Sequence, residues 1–177
     1  MKDSSANTTT HMKSSEHTLP YKPDDRDSIL AYAQKLVGST LRAHIDVDAI
    51  DDPARRKGSF GNAVEEYYFK YDINSNSNPD FDQVGIELKT TPLKYNGKGN
   101  LVSKERLVIT MINYRDVVNE TFETSHLLAK ASNILLISYL YEKDKDPLDY
   151  PIKVVALWGL PEEDMPVFKK RLGNRRE

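Results

Sequence analysis

Two carboxylates and a lysine stand close together in one stretch, Asn78-Pro79-Asp80-Phe81-Asp82-Gln83-Val84-Gly85-Ile86-Glu87-Leu88-Lys89. The residues from Val84 to Thr91 alternate as a strand does, and alternate side chains of a strand share a face. Val84, Ile86 and Leu88 are then expected in a core, with Glu87 and Lys89 together on the opposite face. A carboxylate and an ammonium two positions apart on an otherwise apolar strand do little for packing. They do suit phosphodiester hydrolysis. Two carboxylates, Asp80 and Glu87, can hold a hard cation such as Mg²⁺, which polarises the phosphate and acidifies water. A lysine beside them can orient that water or stabilise charge in the transition state. Asp80 precedes Glu87 by seven residues, roughly 23 Å on a straight strand at about 3.3 Å per residue. The chain therefore has to bend, and Pro79-Asp80 with Asp82 is bend chemistry. Taken alone, the pattern is more often a solvated ion pair on an edge strand.

The elements that must position these residues are legible around them. Asp27 is a candidate N-cap for a helix through Ile29, Leu30, Ala33, Leu36 and Val37, with Gly38 as its stop. A second helix is expected from about Gly61 to Tyr71, then a polar loop to Pro79. Asn96-Gly97-Lys98-Gly99 offers a hairpin turn after the site strand, with a return strand from Arg106 to Ile112. Thr124 or Ser125 can cap a short helix ending at Lys130. The apolar run Ile134 to Tyr141 suits a strand buried on both faces, and Ile152 to Trp158 suits another. Pro161-Glu162-Glu163-Asp164 opens a closing helix. This order gives an α/β fold, a mixed β-sheet flanked by helices. Residues 1–25 are polar and read as a tail, leaving 26–177 as one domain.

Composition narrows the function classes. No apolar run approaches the roughly 20 residues that span a bilayer, so no membrane role is expected. The absence of cysteine excludes disulfides and thiolate metal sites and suits a reducing cytoplasm. The net charge of −2 and pI near 6.1 argue against a uniformly basic nucleic-acid binder, for which a pI above about 9 is usual. The basic residues are nevertheless clustered: Arg55, Arg56 and Lys57 lie together, as do Lys169, Lys170 and Arg171 with Arg175 and Arg176. Scattered solvated charge is the commoner meaning of any one such cluster.

Three blocks in order carry a family resemblance. Val84-Gly85-Ile86-Glu87-Leu88-Lys89-Thr90-Thr91-Pro92 resembles the active-site strand of the MutH-type endonucleases, a family that includes GATC-cutting type II restriction enzymes. Lys57-Gly58-Ser59-Phe60-Gly61-Asn62-Ala63-Val64-Glu65 resembles the loop and helix preceding that strand. Phe122-Glu123-Thr124-Ser125-His126-Leu127-Leu128-Ala129-Lys130 resembles the segment that follows it. Lys104 to Val108 and Ile112-Asn113-Tyr114 are more similar to the restriction branch than to the repair branch. The likeness runs over about residues 27–172.

That resemblance implies a restriction-endonuclease-like fold, double-stranded DNA as substrate and Mg²⁺ as cofactor. It implies metal ligation by Asp80 and Glu87, Lys89 beside the attacking water, a supporting acidic role for Glu65 and a catalytic or phosphate-contacting role for Lys130. Arg56 and Lys57 would sit in a DNA-contacting loop. Blander roles stand beside these. A helix glutamate is most often solvated, and Glu66 is as good a candidate as Glu65 by composition. Lys130 suits a helix C-terminus on dipole grounds alone, and His126 suits a structural or capping role. The family's base-reading segment, beyond the final helix, has no counterpart before Glu177. The chain is thus expected to be part of a longer enzyme, with room for a second domain or a dimer partner, and to cut GATC sites poorly alone. The implied function is type II restriction of GATC. The alternatives are a strand-nicking mismatch-repair endonuclease and a non-catalytic DNA-binding or allosteric module.

Overall fold

The computed structural model describes residues 19–48, 60–71, 78–110 and 121–173. Helix α1 spans Arg26–Gln34. Helix α2 begins at Phe60–Ala63 and continues as a π-turn over Val64–Tyr68. Strand β1 is Glu87–Tyr95 and β2 is Leu101–Ser103. A short helix α3, His126–Ala131, leads into β3, Ile134–Leu140. Strand β4 is Ile152–Trp158, and α4, Met165–Gly173, follows it.

The four strands form one mixed sheet in the order β2-β1-β3-β4. β1 is antiparallel to β2 and parallel to β3, and β3 is antiparallel to β4. The site strand is therefore central. Its two faces differ in kind. Ile86 and Leu88, with Leu135 and Ile137 from β3, join the main core beneath α1 and α2, where Ile29, Ala33, Phe60, Val64 and Tyr68 pack. Burial of that apolar area is the main force holding helices to sheet. Glu87 lies on the other face, beside its register partner Ile134, and α3 reaches over it.

Several boundaries depart from the sequence expectation. The cap of α1 is Asp25, which accepts from the N–H groups of Asp27 and Ser28, so the helix starts earlier than a cap at Asp27 implies. Tyr21, inside the stretch expected to be a tail, is 7% exposed and donates a hydrogen bond to the carbonyl of Phe69 at 2.8 Å. Packing thus begins before residue 26. The second helix ends at Tyr68 instead of Tyr71, because Lys70 adopts φ 58° and reverses the chain. The return strand is Leu101–Ser103, ahead of the expected Arg106 to Ile112, of which residues 111–112 lie outside the described residues. Asn96 N–H bonds the carbonyl of Asn100, and this short turn pairs Leu93 with Ser103 at once. Residues 106–110 are irregular. Ser125, not Thr124, caps α3, accepting from the N–H of Leu128 at 3.2 Å.

The site strand also starts later than Val84. Residues Asp82–Val84 form a 3₁₀ turn closed by Gly85 at φ 64°, a conformation glycine adopts without steric cost. Phe81 and Ile86 then bridge antiparallel across the turn. This tight reversal is the bend that Asp80 and Glu87 require. It falls between residues 81 and 86 and leaves Pro79 outside it.

Candidate active site

The reversal carries Asp80 back alongside the start of β1. The backbone N–H of Leu88 donates to Asp80 Oδ2 at 2.7 Å, so the strand itself fixes the carboxylate. Glu87 is 1% exposed, anchored through its own N–H to the carbonyl of Asn133. Its Oε1 accepts from Lys89 Nζ at 2.5 Å and from Lys130 Nζ at 3.2 Å. Lys130 arrives from α3, whose Ser125 cap sets the start of that helix. Such a buried carboxylate is tolerable only because it is paired.

The second oxygen, Glu87 Oε2, is buried and has no hydrogen-bond partner. Two cations thus crowd one oxygen while the other stays open. A buried unmet acceptor is costly, and in native structures it commonly marks a place where something else binds.

Glu65 completes the charged group from the π-turn of α2. Burial, followed by the charge of Asp80, pushes its carboxyl up to about 7, with Glu87 adding to the rise and Lys89 and Lys130 opposing it. Asp80 is also raised, chiefly by burial, against the lowering effect of the Leu88 N–H; Glu87 raises it and the two lysines lower it. Carboxyls raised by burial and by each other are a common mark of functional sites. π-turns recur at such sites too.

All five residues expected to do chemistry therefore gather: Asp80, Glu87 and Lys89 from the bend and strand, Glu65 from α2, Lys130 from α3. Between the adjacent candidates Glu65 and Glu66, it is Glu65 whose carboxyl feels the cluster. Arg56 and Lys57 lie outside the described residues. Tyr71 was not foreseen. Its hydroxyl is buried without a hydrogen-bond partner, and burial, then Asp80, Glu65 and Glu87, raise its pKa. Its place among apolar aromatics gave no sequence signal.

The donor set fits a hard cation. Among the described residues no group of three or more histidines and carboxylates gathers closely enough to hold a metal. Two carboxylates, one with an open buried oxygen, instead suit an ion that keeps several waters and takes oxygens from a phosphate, as Mg²⁺ does.

A mixed sheet with flanking helices, and a carboxylate–lysine site at the start of its central strand, defines a restriction-endonuclease-like α/β domain. Residues 69–171 match the family model described as DNA mismatch repair enzyme MutH, and the chain belongs to the MutH family. It is 36% identical over 137 residues to the type II restriction enzyme Sau3AI of Staphylococcus aureus, covering 68% of this chain and 27% of that protein. It is 30% identical over 156 residues to the DNA mismatch repair protein MutH of Shewanella woodyi, covering 86% of this chain and 65% of the relative. Against MutH of Vibrio vulnificus the figures are 27% over 150 residues, 83% and 64%. The chain thus spans just under two thirds of these MutH proteins and about a quarter of the restriction enzyme. No described helix is long and apolar enough to cross a membrane.

Proposed function

We propose that this chain carries the catalytic centre of a Mg²⁺-dependent DNA endonuclease of the type II restriction kind, acting at GATC sites in double-stranded DNA. The observation that carries the reading is Glu87: a 1% exposed carboxylate, paired by Lys89 and Lys130 through one oxygen and open at the other, beside Asp80. Asp80 and Glu87 are the residues to hold the cation. When bound, such a cation supplies Lewis-acid polarisation of the phosphate and lowers the pKa of water in the site. Lys89 orients the attacking water. Lys130 offsets charge that builds on the phosphate as the bond breaks. Glu65, with its carboxyl near 7, can hold or release a proton at neutral pH. Arg56 and Lys57 are assigned to phosphate contact, which positions DNA without reading sequence. A cytoplasmic home accords with the absence of cysteine.

The restriction reading is favoured over repair nicking because identity to Sau3AI, at 36%, exceeds that to the MutH repair proteins of Shewanella woodyi and Vibrio vulnificus, at 30% and 27%. The test is incubation of a longer enzyme carrying this domain with plasmids bearing or lacking GATC, with Mg²⁺ or with a chelator, resolved on a gel. Both strands should be cut only at GATC and only with metal, leaving 5′-phosphates. Single-strand nicks alone would favour the repair role, and cleavage indifferent to chelation would remove the metal from the mechanism.

A further inference from the structure

Tyr71 follows the π-turn that carries Glu65, and the backbone is bent to place it. Lys70 takes φ 58°, a left-handed conformation that non-glycine residues occupy at some cost. The N–H of Tyr71 then returns to the carbonyl of Glu65 at 3.3 Å. Its ring meets Phe81 edge-on, with centroids 5.7 Å apart at 70°, so the ring belongs to the packing of the reversal. The hydroxyl has another office. It is buried and completes no hydrogen bond, a condition shared among the described residues only by Glu87 Oε2. Both unmet atoms belong to one group of charges. Asp80 is the strongest charge acting on the phenol and an acceptor within its reach. Burial and the carboxylates keep the phenol protonated, so towards a carboxylate it can only donate.

One donor leaves a carboxylate free to turn about its Cβ–Cγ bond, whereas two donors set its plane. Leu88 N–H supplies the first, to Asp80 Oδ2. We propose that Tyr71 is a positioning residue of the site, its hydroxyl donating to Asp80 when a divalent cation is held there and so fixing the plane of that carboxylate. The inference rests on Asp80 and Glu87 being the metal-holding pair. Outer partners of metal ligands typically govern affinity by about 10-fold to 100-fold.

The experiment titrates the 177-residue chain with Mg²⁺ and Mn²⁺ by calorimetry, using Tyr71→Phe, Glu87→Gln, Asp80→Asn and the double variant Asp80→Asn/Tyr71→Phe. Tyr71→Phe keeps the ring and should melt at the wild-type temperature while binding metal about 10-fold more weakly. The wild-type chain should give a tyrosine difference absorbance on metal addition that Tyr71→Phe lacks. In the Asp80→Asn background the phenol should add nothing, because it acts through Asp80. Wild-type affinity in Tyr71→Phe, with binding abolished in Glu87→Gln, overturns the role of Tyr71 and leaves the metal pair standing. Additive losses in the double variant, or a lower melting temperature with unchanged affinity, also overturn it. Unchanged binding in Glu87→Gln, or none by the wild type, removes the metal pair and the proposal with it.

Discussion

Two charged clusters in this molecule contain similar groups and are built to opposite ends. Where the 3₁₀ turn Leu41–Ala43 meets the turn before β4, Arg42 Nε meets Asp149 Oδ1 at 2.7 Å and Nη2 meets Asp146 Oδ2 at 3.0 Å. Those side chains are 37%, 34% and 44% exposed, and each charge has a partner and water nearby. At the head of β1 the carboxylate of Glu87 is 1% exposed, with two lysines on one oxygen and nothing on the other. The first cluster is complete as it stands. The second is incomplete, and its incompleteness is held in place by the central strand, a glycine turn and two helices. Charge count does not separate a site from a surface network; burial together with an unmet valence does.

The largest effect that should follow is on turnover. Glu87→Gln keeps the volume and one acceptor but loses the charge, so cleavage of GATC plasmid by an active enzyme carrying this domain should fall by about 10³-fold. Binding of the same DNA, measured without metal, should stay within a few-fold, since the loss falls on the transition state. Equal losses in both would make the cluster a binding or folding device and erase the contrast with Arg42.

The next effect is on stability against pH. Glu65 is raised from 4.5 to about 7 in the folded chain, so between those values the folded state binds the proton more tightly than the unfolded one. Its contribution is stabilising at low pH and is lost as pH rises from about 4.5 to about 7. Asp80, also raised, acts in the same direction. Glu65→Gln should therefore stabilise the chain at pH 8 relative to wild type, by on the order of 1 to 3 kcal/mol after allowing for solvent screening, and hardly at pH 4. Denaturant melts at both pH values measure this. A Glu65→Gln variant less stable at pH 8 would mean the carboxylate is paired, not crowded.

A smaller effect tests how the site is held. Gly85 at φ 64° has nothing within 4 Å of where a Cβ would sit, so the cost of Gly85→Ala is backbone strain alone, about 1 kcal/mol. That strain acts on the turn that returns Asp80 to the Leu88 N–H, and metal affinity should drop with it. Loss of stability without loss of affinity would show that Asp80 is held by other means.

Much of this site was legible in the sequence, and the reason is local. Alternation along Ile86-Glu87-Leu88-Lys89 fixed which side chains share a face, because a strand has only two. The need for a bend followed from chain length alone. Its location did not, since Pro79, Asp82 and Gly85 all suit turns and only the Phe81–Ile86 bridge decides among them. Glu65 against Glu66 was unreadable, because the π-turn that carries both breaks the regular helical period from which a face is read. Tyr71 was invisible for the same reason: its direction depends on the left-handed Lys70, which no periodicity announces. The strand after the hairpin was misplaced because the Asn96–Asn100 turn pairs Leu101 to Ser103 immediately, leaving residues 106–110 outside the sheet.

The smallest effect belongs to the complete cluster. Arg42→Met keeps the aliphatic stem, which can still cover apolar surface, and removes only the charge. Asp146 retains its bond from the N–H of Leu148 at 2.9 Å, and both aspartates remain open to water. No carboxylate is stranded, unlike the two lysines that would lose their partner beside Glu87. Exposed pairs of this kind typically contribute about 0.2 to 1 kcal/mol, and the geometry of one guanidinium against two carboxylates places Arg42 within that range. The loss on Arg42→Met should therefore be below about 1 kcal/mol in urea at low salt, and smaller again in 1 M NaCl, where screening acts over about 3 Å. Metal affinity at the distant site should not change. A loss above about 2 kcal/mol that salt does not reduce would mean the turn cluster is sequestered from water after all, and exposure would no longer separate the two clusters.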